Sequence, residues 1–144
     1  MDRPTALATL TEEYAELATD SGLSGGSITS AYNFAIDMSL RQLGYQETDL
    51  ATTNVPQTQI IGYLALLNYY ALKRFARILA LRVNVGVAGQ LSASRSQAAI
   101  QVKALLDDAE KEVVALGFAV GENAVAFSLG RMGLDFLEPN WGEF

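Results

Sequence analysis

Apolar residues recur at helical spacing over most of the first 117 positions, and the places where that spacing fails divide the chain into its elements. Leu7, Leu10, Tyr14 and Leu17 form one stripe, which predicts a first helix over residues 4–19. Pro4 suits its first turn. Glu12, Glu13, Glu16 and Asp20 fall on the other side, the pattern of a solvated acidic face. Residues 21–27 (SGLSGGS) then break the periodicity, as a plain linker or as a hinge that lets the first helix dock on a neighbouring copy. A second helix is predicted over residues 28–43, with Ile28, Tyr32, Ala35, Ile36, Leu40 and Leu43 inward and Gly44 to end it. Asp37 and Arg41 stand four apart in it, the order that favours a surface ion pair.

The third helix carries the strongest pattern. Asn54 can cap it, Pro56 opens it, and it is expected to reach residue 82. Ile60, Leu64, Leu67, Ala71, Phe75 and Ile78 make one row. Ile61, Leu72 and Leu79 widen the row, and Tyr63, Leu66, Tyr69, Tyr70 and Leu81 cover much of the rest. A helix apolar over so much of its circumference is buried on several sides, as the centre of its own domain and partly under a second subunit. Lys73, Arg74, Arg77 and Arg82 lie toward its end. They read either as cations that complement the helix dipole or as subunit contacts to the acidic faces of the first and fourth helices.

Residues 83–94 (VNVGVAGQLSAS) change period. Val83, Val85 and Val87 alternate with Asn84 and Gly86, which predicts a short β-hairpin. A fourth helix follows over residues 96–116, with Ala98, Val102, Leu105, Leu106, Ala109, Val113 and Leu116 on one face and Gly117 at its end. Residues 118–144 lose the helical pattern but stay apolar. Phe136, Leu137, Trp141 and Phe144 crowd the last stretch, so this tail either folds back on its own domain or docks on a partner through those four side chains. The expected fold is therefore mainly α: a bundle of about four helices over residues 1–117, a hairpin at about 83–94, and an extended C-terminal tail over 118–144.

Composition narrows the function. With no cysteine, disulfides and thiolate metal sites are excluded; with no histidine, the usual general base and the commonest transition-metal ligand are missing. No glycine-rich phosphate motif is present, so no enzyme, cofactor or metal is expected. Asp107, Asp108 and Glu112 could in principle serve carboxylate chemistry, but their spacing is that of any solvated acidic face. A net charge of -6 opposes tight binding of nucleic acid. The longest charge-free run, residues 50–72, is interrupted by threonine, asparagine and glutamine. Its apolar part falls short of the ~20 residues of a bilayer span. The opening Met1-Asp2-Arg3-Pro4 has no apolar signal core, so a soluble chain without membrane contact is expected.

One stretch carries a resemblance. Residues 69–117 read YYALKRFARILALRVNVGVAG, then SRSQAAIQVKALLDDAEKEVVALG after a short gap. The Tyr-Tyr-Ala-Leu helix, the Ala-x-Arg-Val step, the short Val/Gly hairpin, the Ser-Arg-Ser-Gln helix start and the Leu-Leu-x-x-Ala-Glu helix ending in Leu-Gly resemble head-to-tail adaptor (connector) proteins of tailed bacteriophages. The match covers about one third of the chain, and its motifs are structural. The resemblance implies a non-catalytic virion protein, assembled in the host cytoplasm, that forms a dodecameric ring beneath the portal protein. It implies an extension of the DNA channel, past which genomic DNA moves without specific binding. It also implies a surface for a downstream tail or stopper protein and a C-terminal extension that grips the portal. The first helix and the SGLSGGS break have no place in that pattern. A cellular helical-bundle adaptor or regulatory subunit that binds one protein partner is the alternative.

Overall fold

A computed structural model describes residues 1–20, 22–23, 25–85 and 91–120, and the side chains of all of these except 82–85 and 91–96. The described chain is mainly α-helical. Its helices are α1 (Arg3–Glu13), α2 (Ala15–Asp20), α3 (Gly25–Gln42), α4 (Ile60–Val85) and α5 (Leu91–Ala115), with single 3-10 turns at Glu47–Asp49 and Gln57–Gln59.

The predicted first helix is two. The Asp2 carboxylate caps α1 by accepting from the Thr5 backbone N–H at 3.0 Å. The Thr5 side chain, and with it that backbone bond, lowers the Asp2 carboxyl from its ordinary value. The helix breaks at Tyr14, whose backbone leaves helical geometry (φ -105°, ψ 16°). Tyr14 is an anchor in the core: its ring centre lies 5.8 Å from that of Phe75, and its hydroxyl bonds Asn68 Oδ1 at 3.1 Å. The hydrogen-bond ladder resumes at once through Ala18 N–H to the Tyr14 carbonyl.

α3 starts three residues earlier than its apolar pattern, so Gly25, Gly26 and Ser27 form its first turn and not a linker. Glycine weakens a helix by about 1 kcal/mol relative to alanine, which is why the sequence reads as a break there. Packing of Tyr32, Ala35 and Ile36 into the core outweighs it. The end is as expected. Gly44 takes a left-handed conformation (φ 96°), and the Tyr45 N–H reaches back to the Leu40 carbonyl at 3.1 Å, closing off the last turn. Gly117 (φ 93°) repeats the arrangement after α5, with Phe118 N–H bonded to the Val113 carbonyl at 3.2 Å.

α4 begins with the 3-10 turn after Pro56, and Asn54 does not cap it. Asn54 Oδ1 instead accepts from the Met1 amino group at 2.9 Å. Met1 and Val55 also exchange backbone bonds in both directions, which fastens the start of α1 to the loop before α4. Arg3 adds a clamp across three segments. It bonds Asp37 Oδ1 at 2.7 Å and Asn33 Oδ1 at 3.0 Å on α3, and the Leu50 carbonyl at 3.4 Å. Asp37 and Arg41 therefore do not form the expected pair. Arg41 reaches forward to Glu47, whose carboxyl is lowered by that hydrogen bond.

The expected hairpin flanks are helical. Val83 and Val85 complete the last turn of α4, and residues 91–94 begin α5; residues 86–90 lie outside the described residues. Alternating valines suit a strand, but helix formation is cooperative and a long packed helix extends at little further cost. Among the described residues there is no strand.

The core sits along α4. Tyr63, Leu66, Leu67, Ala71, Phe75 and Leu79 are fully buried, between α1 and α3 on two sides and α5 on a third. Phe75 is the hub, since the ring of Tyr32 also meets it edge-on at 6.0 Å.

Candidate interaction surfaces

The described residues present to solvent charge, sorted by region, shallow grooves, and a few uncovered apolar side chains. From Leu50 to Leu106 the sequence has no acidic residue and six basic ones: Lys73, Arg74, Arg77, Arg82, Arg95 and Lys103. From Pro4 to Leu40 it has no basic residue and five acidic ones. Among the described residues, Asp37 alone of those five has an ion pair, with Arg3. Glu12, Glu13, Glu16 and Asp20 are all exposed.

The four basic positions singled out on the third helix separate on folding. Arg74 is half-buried and turned toward α3. Its guanidinium lies 5.3 Å from the centre of the Phe34 ring, beside a shallow groove lined by Leu23, Gly26, Ser27, Ser30 and Ile78. Lys73 is exposed, with its ammonium 5.5 Å from the centre of the Tyr69 ring. Arg77 is exposed and, like Lys73, has no ion pair among the described residues. Arg82 stands in the final turn of α4, and its side chain lies outside the described ones. α4 ends at Val85, so only Arg82 falls within the last turn, where the helix dipole acts. The dipole does not account for Lys73, Arg74 and Arg77.

The anchors expected in the tail, Phe136, Leu137, Trp141 and Phe144, lie outside the described residues. The root of the tail is described and belongs to the core. Val120 is buried, and Gln42 on α3 donates to the Ala119 carbonyl at 3.3 Å. Phe118 lies across Gly62 of α4 so closely that a Cβ at Gly62 would meet its ring at 3.0 Å. A glycine in an otherwise strongly apolar helix was the available signal for this close approach.

Several large apolar side chains stay uncovered. Ile61, Leu81 and Ile100 are more than half exposed, and Leu105 and Leu116, expected in the core, are each about two-fifths exposed. On α5 the buried positions are Ala98, Val102, Ala109 and Val113, and Leu105 and Leu116 fall at the margin of that narrow stripe. Asp107, Asp108 and Glu112 are exposed on the same helix, and Asp108 is 4.0 Å from the Lys111 ammonium. Among the described residues, no three carboxylates gather closely enough to hold a metal ion. No described helix is long and apolar enough to cross a membrane.

Compared with models of protein families, with curated proteins and with solved structures, the chain matches none.

Proposed function

We propose that this chain is a structural head-to-tail adaptor. It assembles as a ring beneath the portal of a tailed phage, extends the DNA channel and joins the head to a downstream tail or stopper component. The reading rests on the resemblance of residues 69–117 to such adaptors. It is supported by the fact that this stretch forms the antiparallel α4–α5 pair around which the described helices pack. Binding, not catalysis, is its work. The surfaces that remain after folding are charged faces and uncovered apolar side chains, as an assembling subunit requires.

In this reading the C-terminal tail is the element that grips the portal. Its root, as far as Val120, is fixed against α3 and α4 by Gln42, Gly62 and Phe118. Phe136, Leu137, Trp141 and Phe144 supply the aromatic and aliphatic anchors, and Pro139 lowers the entropy lost on docking. The connection between α4 and α5 is a second contact point, on the neighbouring subunit. Genomic DNA passes a lumen that is acidic or weakly charged, so that it is not held in transit.

The test is deletion of residues 135–144, read by two measurements. The truncated chain keeps its melting temperature and loses attachment to the portal protein of the same genome. If truncation unfolds the chain while attachment of the full chain runs through another surface, the tail is core. Electron microscopy of the full chain with that portal checks the ring itself. Tight binding of the isolated chain to duplex DNA at physiological salt overturns the proposed lumen.

A further inference from the structure

We infer that the subunits join head to tail, the acidic α1–α2 face of one copy seated on a basic face of the next that is formed jointly by α4 and α5. This rests on the ring reading and adds to it the two faces that meet. α1 packs on α4 through Tyr14, which touches Asn68 and Phe75. At 3.6 residues per turn, Lys73 and Arg77 lie about 140–180° round α4 from Asn68 and Phe75. They therefore face away from α1, on a part of α4 that neither α1 nor α3 covers, and Leu81 continues that uncovered side at 59% exposure.

α5 completes the face. Gly62 against Phe118 sets an antiparallel register that brings Arg77 level with Lys103. Glu110 lies close enough to Tyr69 to act on its hydroxyl, which marks the flank of α5 that borders this side of α4. Lys103 stands two turns before Glu110 on the same flank, and it is exposed. Lys73, Arg77 and Lys103 thus share one side of the subunit with Leu81, with Glu110 at its edge. Glu12, Glu13, Glu16 and Asp20 are exposed on α1 and α2, on either side of Tyr14, whose contacts with Asn68 and Phe75 set it across α4 from Lys73 and Arg77, and no base stands between residues 4 and 40 to neutralise them.

Opposite charges on opposite sides dictate the kind of assembly. A two-fold dimer sets a patch against itself, basic on basic or acidic on acidic. A head-to-tail contact pairs unlike faces and repeats, closing into a ring where the rotation permits. It also removes the basic face from the DNA channel by burying it between subunits. Like-charge repulsion excludes the wrong registers, and salt weakens the contact because the charges are exposed before association.

The chain has no cysteine, so engineered thiols report the contact without background. Ala15 and Ala80 are both exposed and neighbour the acidic and basic residues without being among them. Single variants Ala15→Cys and Ala80→Cys, mixed at low ionic strength and oxidised, are expected to form the unlike crosslink in preference to either like one. The double variant should give a ladder of covalent multimers. Adding Arg77→Glu with Lys103→Glu abolishes the ladder, and mixing in a copy that carries Glu13→Lys with Glu16→Lys restores it; circular dichroism confirms that each variant is folded. The proposal is overturned if like crosslinks match unlike ones, if no crosslink forms, or if the ladder survives the reversal. It is also overturned if duplex DNA, and not a second copy, shields the Ala80→Cys thiol from modification. A ring on the portal without the ladder defeats these faces and leaves the adaptor reading intact. A ladder in a chain that never binds a portal does the reverse.

Discussion

α4 and α5 are near-equals in length, 26 and 25 residues, and they run side by side, yet they do opposite things with their side chains. α4 buries residues around most of its circumference, and eight of them from Tyr63 to Leu79 are no more than 3% exposed along its length. α5 buries a single stripe through Ala98, Val102, Ala109 and Val113, and it leaves Ile100 71% exposed. Neighbours explain the difference. α4 is packed by α1, α3 and α5, whereas among the described elements α5 packs mainly on α4, with a smaller contact to α2. Stability therefore resides along α4, and among the described residues the outer side of α5 is left uncovered.

The largest effect that would break this contrast is at Phe75. It is fully buried and meets the rings of Tyr14 and Tyr32. Phe75→Ala is expected to lose about 3–5 kcal/mol, the range for deleting a large core aromatic, as measured by denaturant unfolding. A loss below about 1 kcal/mol would remove α4 from the centre of the fold.

Alkaline pH gives the next largest effect. Burial pushes the Tyr63 hydroxyl from the ordinary 10.0 up to about 12. Burial also raises Tyr14, Tyr32, Tyr69 and Tyr70. The hydroxyl of Tyr32 has no hydrogen-bond partner among the described residues. A raised folded-state pKa means that the unfolded chain releases its proton first. The stability involved is complete below pH 10 and is lost as pH climbs through about 12. For Tyr63 alone that is on the order of 2–3 kcal/mol. Unfolding should thus set in above pH 10, before the buried tyrosines titrate. Phenolate absorbance that rises in the intact fold with the pKa of free tyrosine would show these rings to be solvated.

The same contrast separates what could be read from the sequence from what could not. α4 was legible because its pattern is apolar on nearly every side, and no other element accommodates such a run. The glycine ends at Gly44 and Gly117 were legible because few residues tolerate the left-handed turn they adopt. α5 was legible as a helix but not in its burial, since periodicity cannot tell a narrow stripe from a wide one when neighbours are unknown. The alternating valines at 83 and 85 misled, because local strand preference yields to continuation of a long packed helix. The Arg3 clamp and the Gly62–Phe118 contact join residues 30 to 56 positions apart, and no local pattern records them. For the basic positions, composition revealed the charge, but only the packing of Tyr14 and Phe34 shows that Arg74 turns inward while Lys73 and Arg77 turn outward.

The smallest expected effect is the sharpest for α5. Ile100 and Val102 are two residues apart on one helix, at 71% and 0% exposure. Val102→Ala removes buried apolar surface and should lose about 2 kcal/mol. Ile100→Gln exchanges one adequate helix former for another and uncovers nothing, so its effect on unfolding of the isolated subunit should stay within about 0.5 kcal/mol. The two substitutions should separate again under conditions of assembly. There, Ile100→Gln should act on association if the outer side of α5 is covered by a neighbour, and Val102→Ala only through the fold. Measuring both variants across a range of protein concentration distinguishes the cases. If the loss at Ile100 matches the loss at Val102 even at high dilution, the outer side of α5 is packed within the subunit, and the contrast with α4 does not hold.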